Sequence, residues 1–258
     1  MKALAVHSGH FTMRGLRAMA RQPAFLVVSL VQPLVWLLLF GRLFERVAEL
    51  PGFGGGSYIA YLVPGVVVMT VVFSAGWAGM AFIDDMGRGI LDRLLTTPAR
   101  RGAFMVGTLA YQACSGVVQA LAIFVMGLAL GASYAGGAAG VAVTLAAVVL
   151  LTAAFSSLSN ALALLVRTRE SLIGASQFLA LPLTFTSSAF MAPDAAPGWI
   201  RAASAVNPVD WAVTASREAL SAAPDWRAVL LRLAWLAALS LVLGFLATRA
   251  FRAYQRSV

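Results

Sequence analysis

Long stretches without charge alternate along the chain with short connections where the charges gather. Leu50 to Ile83, Gly102 to Val166, Ser171 to Pro193 and Leu233 to Thr248 contain no Asp, Glu, Lys or Arg. A helix needs about 20 apolar residues to cross the hydrocarbon of a bilayer, so the second stretch is long enough to cross twice. Together with the apolar run before Leu50, the pattern predicts six membrane-crossing helices. They are Ala24 to Phe40 (interrupted by Pro33), Tyr58 to Ile83, Phe104 to Leu130, Gly140 to Val166, Ser171 to Met191 and Leu230 to Ala250. Arg232 is placed to reach for the outer headgroups. Glycine-rich Gly52 to Gly56 and Gly131 to Gly137 read as turns. Before the first crossing, His7, His10, Arg14, Arg17 and Arg21 recur at helical spacing, while Leu4, Phe11, Leu16 and Met19 lie off that stripe. Lys2 to Arg21 therefore predicts an amphipathic helix in the headgroup region, with residues 1–23 forming an elbow into the first span.

Composition sharpens this picture. The chain is 60% hydrophobic and 11% charged, against about a quarter charged in soluble domains. A water-soluble fold of this size could not hide so much apolar surface. In the six-span arrangement, thirteen basic and four acidic residues fall on one side of the membrane and six of each on the other. The whole net charge of +9 thus sits on one side, which the positive-inside rule makes cytoplasmic, with both termini there. The basic excess follows membrane orientation, so no nucleic acid partner is expected. Residues up to Pro23 lack the apolar core of a secretory signal, so no cleaved leader is expected. Cys114 is the sole cysteine, excluding an intrachain disulfide, and is expected to pack as a small apolar residue.

The chain is poor in chemistry. A phosphate-binding loop needs a lysine in a glycine-rich frame, and Lys2 is the only lysine. No H-E-x-x-H and no Gly-x-Ser-x-Gly occur, so the expectation is a non-enzyme that binds no cofactor and no metal. All ten acids fall at span ends or in connections, which argues against a proton- or sodium-coupled transporter with ionisable groups in its spans. The polar residues inside spans are neutral, and interhelical hydrogen bonding is their ordinary role. Among them Gln112, Gln119, Asn160, Gln177 and Thr184 are candidates for a translocation path.

Two connections carry more information. From Asp84 to Arg101, residues Ile90, Leu91, Leu94 and Leu95 share a helical face while Arg88, Asp92 and Arg93 point away. Thr97 and Pro98 suit a helix start, so a short helix at the cytoplasmic surface is expected. On the external side, Ala192 to Arg227 holds Pro193, Pro197, Trp199, Pro208, Trp211, Pro224 and Trp226, too apolar for a solvated loop. Asn207, Pro208 and Asp210 suit a helix start with cap, first-turn proline and acidic third position. Trp199, Ala203 and Val206 would line one stripe of a preceding short helix. Two short helices dipping into the outer leaflet are expected.

Together these segments resemble the membrane subunits of ABC-2 type exporters, especially permeases related to daunorubicin-resistance exporters. The resemblance rests on Gly89-Ile90-Leu91-Asp92-Arg93 with Pro98 and Arg101 after the second span. It rests equally on Phe190 to Pro193, Pro197-Gly-Trp199 and Asn207-Pro208 through Arg217-Glu218 before the sixth. Many members of the wider family carry Gly-Thr-Leu-Glu at the first motif, and Gly-Ile-Leu-Asp fits the drug-resistance branch better. The resemblance implies one all-α transmembrane domain over residues 1–258. It implies a coupling helix within Asp85 to Arg101, two copies of a separate ATPase subunit that holds ATP and Mg, and a second permease copy, identical or paralogous. It implies residence in a bacterial plasma membrane and a hydrophobic or amphipathic cargo. The rival readings are an ATP-independent secondary transporter, a membrane scaffold without transport, and an exporter of polysaccharide or a lipid-linked precursor.

Overall fold

A computed structural model describes residues 2–21, 23–44, 57–89, 101–190 and 197–254. Among the described residues the fold is all-helical. The elements are α1 (Lys2–Arg21), α2 (Pro23–Leu43), α3 (Tyr58–Gly76), α4 (Met80–Gly87), α5 (Arg101–Ala129), α6 (Gly137–Val166), α7 (Arg169–Phe185), α8 (Gly198–Ala205), α9 (Pro208–Ala219) and α10 (Trp226–Tyr254). Four stretches are long and apolar enough to cross a membrane: Tyr58–Gly87, Met105–Ala129, Gly137–Val166 and Trp226–Phe251, with Val27–Leu43 a shorter apolar helix.

The hub is α6, which touches α3, α4, α5, α7, α9 and α10. Its sequence explains why: alanines, serines and Gly140 let neighbouring backbones approach closely, which is how helices associate where apolar burial gives no preference for protein over lipid. The central core packs Val68, Val72 and Ala75 of α3 on Ala147, Leu151 and Ala154 of α6, with Val209 and Val213 of α9 and Leu236 of α10 closing it. A second cluster joins Leu37 of α2, Leu62 to Val67 of α3 and Ile123 of α5. A third, at the other end, gathers Phe82, Met105, Leu164, Leu172 and Phe251.

The predicted turn between the third and fourth spans is present, with Gly131 at φ 90° and Gly137 at φ 53°, left-handed values that suit glycine. Its Tyr134 is pushed up to about 12 by burial and so stays a neutral donor to the Phe124 carbonyl at 3.4 Å. The elbow helix differs from expectation in its packing. α1 lies along α5, with Ser8 buried and Thr12 Oγ1 donating to the Gly107 carbonyl at 3.3 Å. Its exposed face carries His10, Arg14, Arg17 and Arg21. Cys114 also departs from expectation. It stands exposed on α5 rather than packed, since it shares a helical face with exposed Val118, Leu121 and Val125.

Two predicted spans are broken. The second is not continuous: α3 ends at Gly76 and α4 starts at Met80. Around Trp77 to Gly79 the hydrogen bonds tighten to three-residue steps, Ala78 N–H donating to Ala75 and Met80 N–H to Trp77. That frees the Gly76 carbonyl and the Gly79 N–H, both buried. Ser159 of α6 resolves both, its Oγ donating to Gly76 O at 2.5 Å and accepting from Gly79 N at 3.0 Å. Ser176 of α7 adds a second donor to Gly76 O at 2.7 Å. A Cβ on Gly79 would collide with the Ser159 carbonyl, so only glycine lets α6 come this close.

The fifth predicted span is also shorter than expected. It was to run to Met191, but α7 stops at Phe185, three residues after Pro182, and the chain turns through Thr186 to Phe190. The reason is tertiary. The Leu183 carbonyl accepts from Asn207 Nδ2 at 2.6 Å instead of from the next helical turn.

Replacing Ser159 by Ala orphans the Gly79 N–H and should cost about 1–3 kcal/mol, whereas Ser176→Ala should cost less because Gly76 O keeps its Ser159 donor. Thermal unfolding of the two detergent-purified variants against the parent chain gives the order.

Candidate functional site

Polar groups concentrate at two places, one at each end of the helix bundle. The first lies around α9. Asn207 caps this helix, its Oδ1 accepting from Val209 N–H at 2.9 Å, and Pro208 occupies the first turn. The predicted cap is therefore present, but the same side chain also holds α7 through Leu183 O and Thr186 Oγ1. Asp210 and Arg217 are seven residues apart and so share a face of α9. Between them they hold one residue of the broken stretch: the Ser188 N–H donates to Asp210 Oδ1 at 2.7 Å, and the Ser188 carbonyl accepts from Arg217 Nη2 at 3.1 Å. Asp210, expected as a favourable charge for the helix dipole, has turned to this second task. The Arg217 guanidinium also covers the Tyr61 ring, 3.6 Å from its centroid, and donates to the Tyr61 carbonyl at 3.3 Å. Tyr58 Oη completes the cradle by donating to Phe190 O at 3.1 Å. Non-helical backbone inside an apolar interior is tolerated only when its polar groups find partners, and here α3 and α9 supply them.

The other residues of the predicted external segment are more peripheral. Glu218 accepts from the Asp225 N–H at 2.9 Å, tying the end of α9 to the start of α10. Pro197 precedes α8, and Trp199, 68% exposed, and Val206 face outward from it. Pro193 lies outside the described residues.

The second concentration is at the predicted cytoplasmic end. Asp85 of α4 is buried and accepts from Arg14 of α1 at 3.4 Å. Its neighbour Asp84 accepts from Arg169 Nε of α7 at 2.7 Å. Gly89 follows at φ 63°, turning the chain away from α4. Ile90, Leu91, Asp92, Arg93, Leu94 and Pro98 lie outside the described residues, and Arg101 opens α5.

The candidate path residues are spread over α5, α6 and α7. Gln119 is buried and donates to Ser74 Oγ and Ser115 Oγ, both at 3.4 Å. Asn160, fully buried, points its amide at Met105 Sδ, 3.6 Å away. Thr184 is fully buried on α7, while Gln112 and Gln177 are half-buried. No group of His, Cys, Asp and Glu suited to a metal ion occurs among the described residues. Sequence reasoning did not single out Ser159, Ser176, Tyr61 or the Arg14 and Arg169 partners. The one local signal was the Gly76 to Gly79 glycine pair inside an apolar run, which marks a break but not what repairs it.

The fold is a helical membrane bundle in which an Asn-Pro-started helix clamps a broken helical stretch, and comparison with known proteins supplies its class. The family described as ABC-2 type transporter matches residues 9–221. The chain is 30% identical over 211 residues to the daunorubicin resistance ABC transporter permease protein DrrB1 of Streptomyces coeruleorubidus, covering 80% of this chain and 71% of that one. It is 29% identical over 200 residues to a putative transport permease ycf38 of Cyanophora paradoxa, covering 75% and 67%. For the ycf38 of Porphyra purpurea the identity is 29% over 207 residues, covering 80% and 70%. The chain belongs to the ABC-2 type transporter family and is a membrane protein of the permease class.

Asp210→Asn keeps an acceptor for the Ser188 N–H but loses the charge that faces buried Arg217, so Asp210→Ala, which also orphans the donor, should cost about 1–3 kcal/mol more than Asn. A side-by-side melting comparison in the same detergent checks the contrast, and equal losses for Asn and Ala would remove the clamp argument.

Proposed function

We propose that the chain is the membrane-spanning subunit of an ATP-driven exporter, crossing the bacterial plasma membrane six times with both termini in the cytoplasm. Two ATPase subunits, which carry ATP and Mg, and a second permease copy complete the assembly. The cargo is an amphipathic drug, lipid or secondary metabolite. Membership of the ABC-2 type transporter family carries this reading. The daunorubicin-resistance name of one relative supports drug-like cargo, and so do the neutral buried side chains Gln119, Asn160 and Thr184. Segment 84–101, with Leu91 and Leu94 on its apolar face, is the coupling element. Asp85, Gly89, Ile90, Asp92, Arg93, Pro98 and Arg101 shape it. α8 and α9 are re-entrant helices on the external side, where Asn207, Asp210 and Arg217 hold the broken fifth span and Glu218 ties α9 to α10.

ATP binding can shift the permease between inward- and outward-facing forms only through different affinities of the ATPases for the two. The permease contributes the element with two positions; the chemistry belongs to its partner.

A tagged chain extracted from native membranes in mild detergent should bring down an ATPase with vanadate-sensitive activity. Leu91→Asp and Leu94→Asp should lose most of that association, because each buries a carboxylate in an apolar contact. A chain that purifies alone and transports without ATP would instead favour the secondary-transporter reading. Topology has its own check. In a Cys114→Ala background, Gly54→Cys should react with an impermeant maleimide on intact cells and Arg256→Cys only after permeabilisation. The reverse pattern would overturn the orientation.

A further inference from the structure

The last turn of α2, the first turn of α3 and the close of α5 meet around a cleft of about 380 Å3. That volume falls among the roughly 300–1,000 Å3 of small-ligand sites. Leu37, Leu38 and Leu130 form its apolar floor, Tyr58 its inner wall, and Arg42 and Ser57 its polar rim. Leu38 and Arg42 are exposed and one helical turn apart, so the cleft opens outward with the cation placed toward the end of the span. A leucine floor below an arginine rim matches an amphiphile that keeps its chain in the hydrocarbon and its negative head at the boundary. A free inorganic anion would make no use of the leucines, and an uncharged chain would make none of the cation. Arg42 already has a contact within the chain, but a guanidinium carries five N–H donors in a planar fork suited to phosphate, so a second acceptor can share it. Ser57 Oγ accepts from the Ile59 N–H at 3.2 Å and keeps its own proton to donate.

We propose that this cleft is a site for an anionic phospholipid, with the phosphate on Arg42 and Ser57 and one acyl chain along Leu37, Leu38 and Leu130. In the six-span orientation, with α2 and α3 joined on the external side, this is a lipid of the outer leaflet. The maleimide reaction of Gly54→Cys and Arg256→Cys decides the leaflet separately. Tyr58 connects the site to the rest of the bundle, since its ring walls the cleft while its Oη donates to Phe190 O at 3.1 Å. A lipid seated here therefore supports the irregular stretch that α9 also holds. Because it binds the folded chain, it stabilises that chain by linkage. Neither the ATPase nor the cargo enters this inference.

The test follows the melting temperature of the full chain, stripped of lipid in an uncharged detergent, as dihexanoyl phosphatidylglycerol is added. The Tm should rise and saturate. Inorganic phosphate, which offers the head alone, and dihexanoylglycerol, which offers the tails alone, should leave it nearly unchanged. Arg42→Gln should raise the half-saturating concentration about tenfold, as expected for the loss of a charge-assisted hydrogen bond. Leu38→Trp, which fills the cleft from an exposed position, should raise it as well and serves as the second variant should Arg42→Gln fail to fold. Arg201→Gln, at an exposed position on α8, should bind as the parent does, which separates the site from a general attraction of lipid to basic residues. Equal half-saturation in the parent, Arg42→Gln and Leu38→Trp overturns the lipid site, and so does an equal shift with inorganic phosphate or dihexanoylglycerol. Either result leaves the exporter reading intact, and a chain that purifies without an ATPase overturns the exporter reading while the lipid site stands.

Discussion

A peptide N–H or C=O without a partner is expensive wherever water is absent, and among the described residues a helix is broken twice inside a packed apolar bundle. Most of the polar architecture answers that constraint. At Trp77 to Gly79 the partners are the hydroxyls of Ser159 and Ser176. At Thr186 to Phe190 they are larger and charged: Asn207, Asp210 and Arg217 from α9, and Tyr58 from α3. The difference follows from the number of freed groups. A helix that resumes within three residues frees two, which one serine can join, whereas a chain that turns back leaves a run of them.

These repairs explain why α6 and α9 sit where they do. α6 brings Ser159 to the first break because the glycine at 79 removes the side chain that would hold the two backbones apart. α9 brings Asp210 and Arg217 to the second from two turns of one face. Gly65 of α3 also meets the broken stretch at the Ala189 carbonyl, without room for a side chain. Asn207 and Arg217, which carry the family resemblance, therefore have a structural task whatever the cargo: they keep an irregular stretch of backbone satisfied, and Pro208 starts the helix that presents them. The predicted cytoplasmic end is built otherwise, from two ion pairs that join buried Asp85 and half-buried Asp84 of α4 to exposed Arg14 of α1 and Arg169 of α7.

The sequence by itself determined that this is a helical membrane protein and, through two short motifs, which family it belongs to. Charge-free runs as long as Gly102 to Val166 have no other stable solution, and the capping chemistry of Asn207-Pro208 is local enough to read from neighbours. The turn at Gly131 to Gly137 was legible for the same reason. Hydropathy could not reveal the breaks in the second and fifth spans, since Trp77, Ala78 and Ala189 are as apolar as helix interior. What stops the helix is a hydroxyl or amide arriving from elsewhere in the chain, as Ser159 arrives 80 positions after Gly79. The same holds for α1, whose basic stripe was plain but whose choice of α5 over lipid was not. Local composition sets which segments leave water; only tertiary structure decides which partner satisfies each freed backbone group, because those partners are distant in sequence and close only once the bundle has packed.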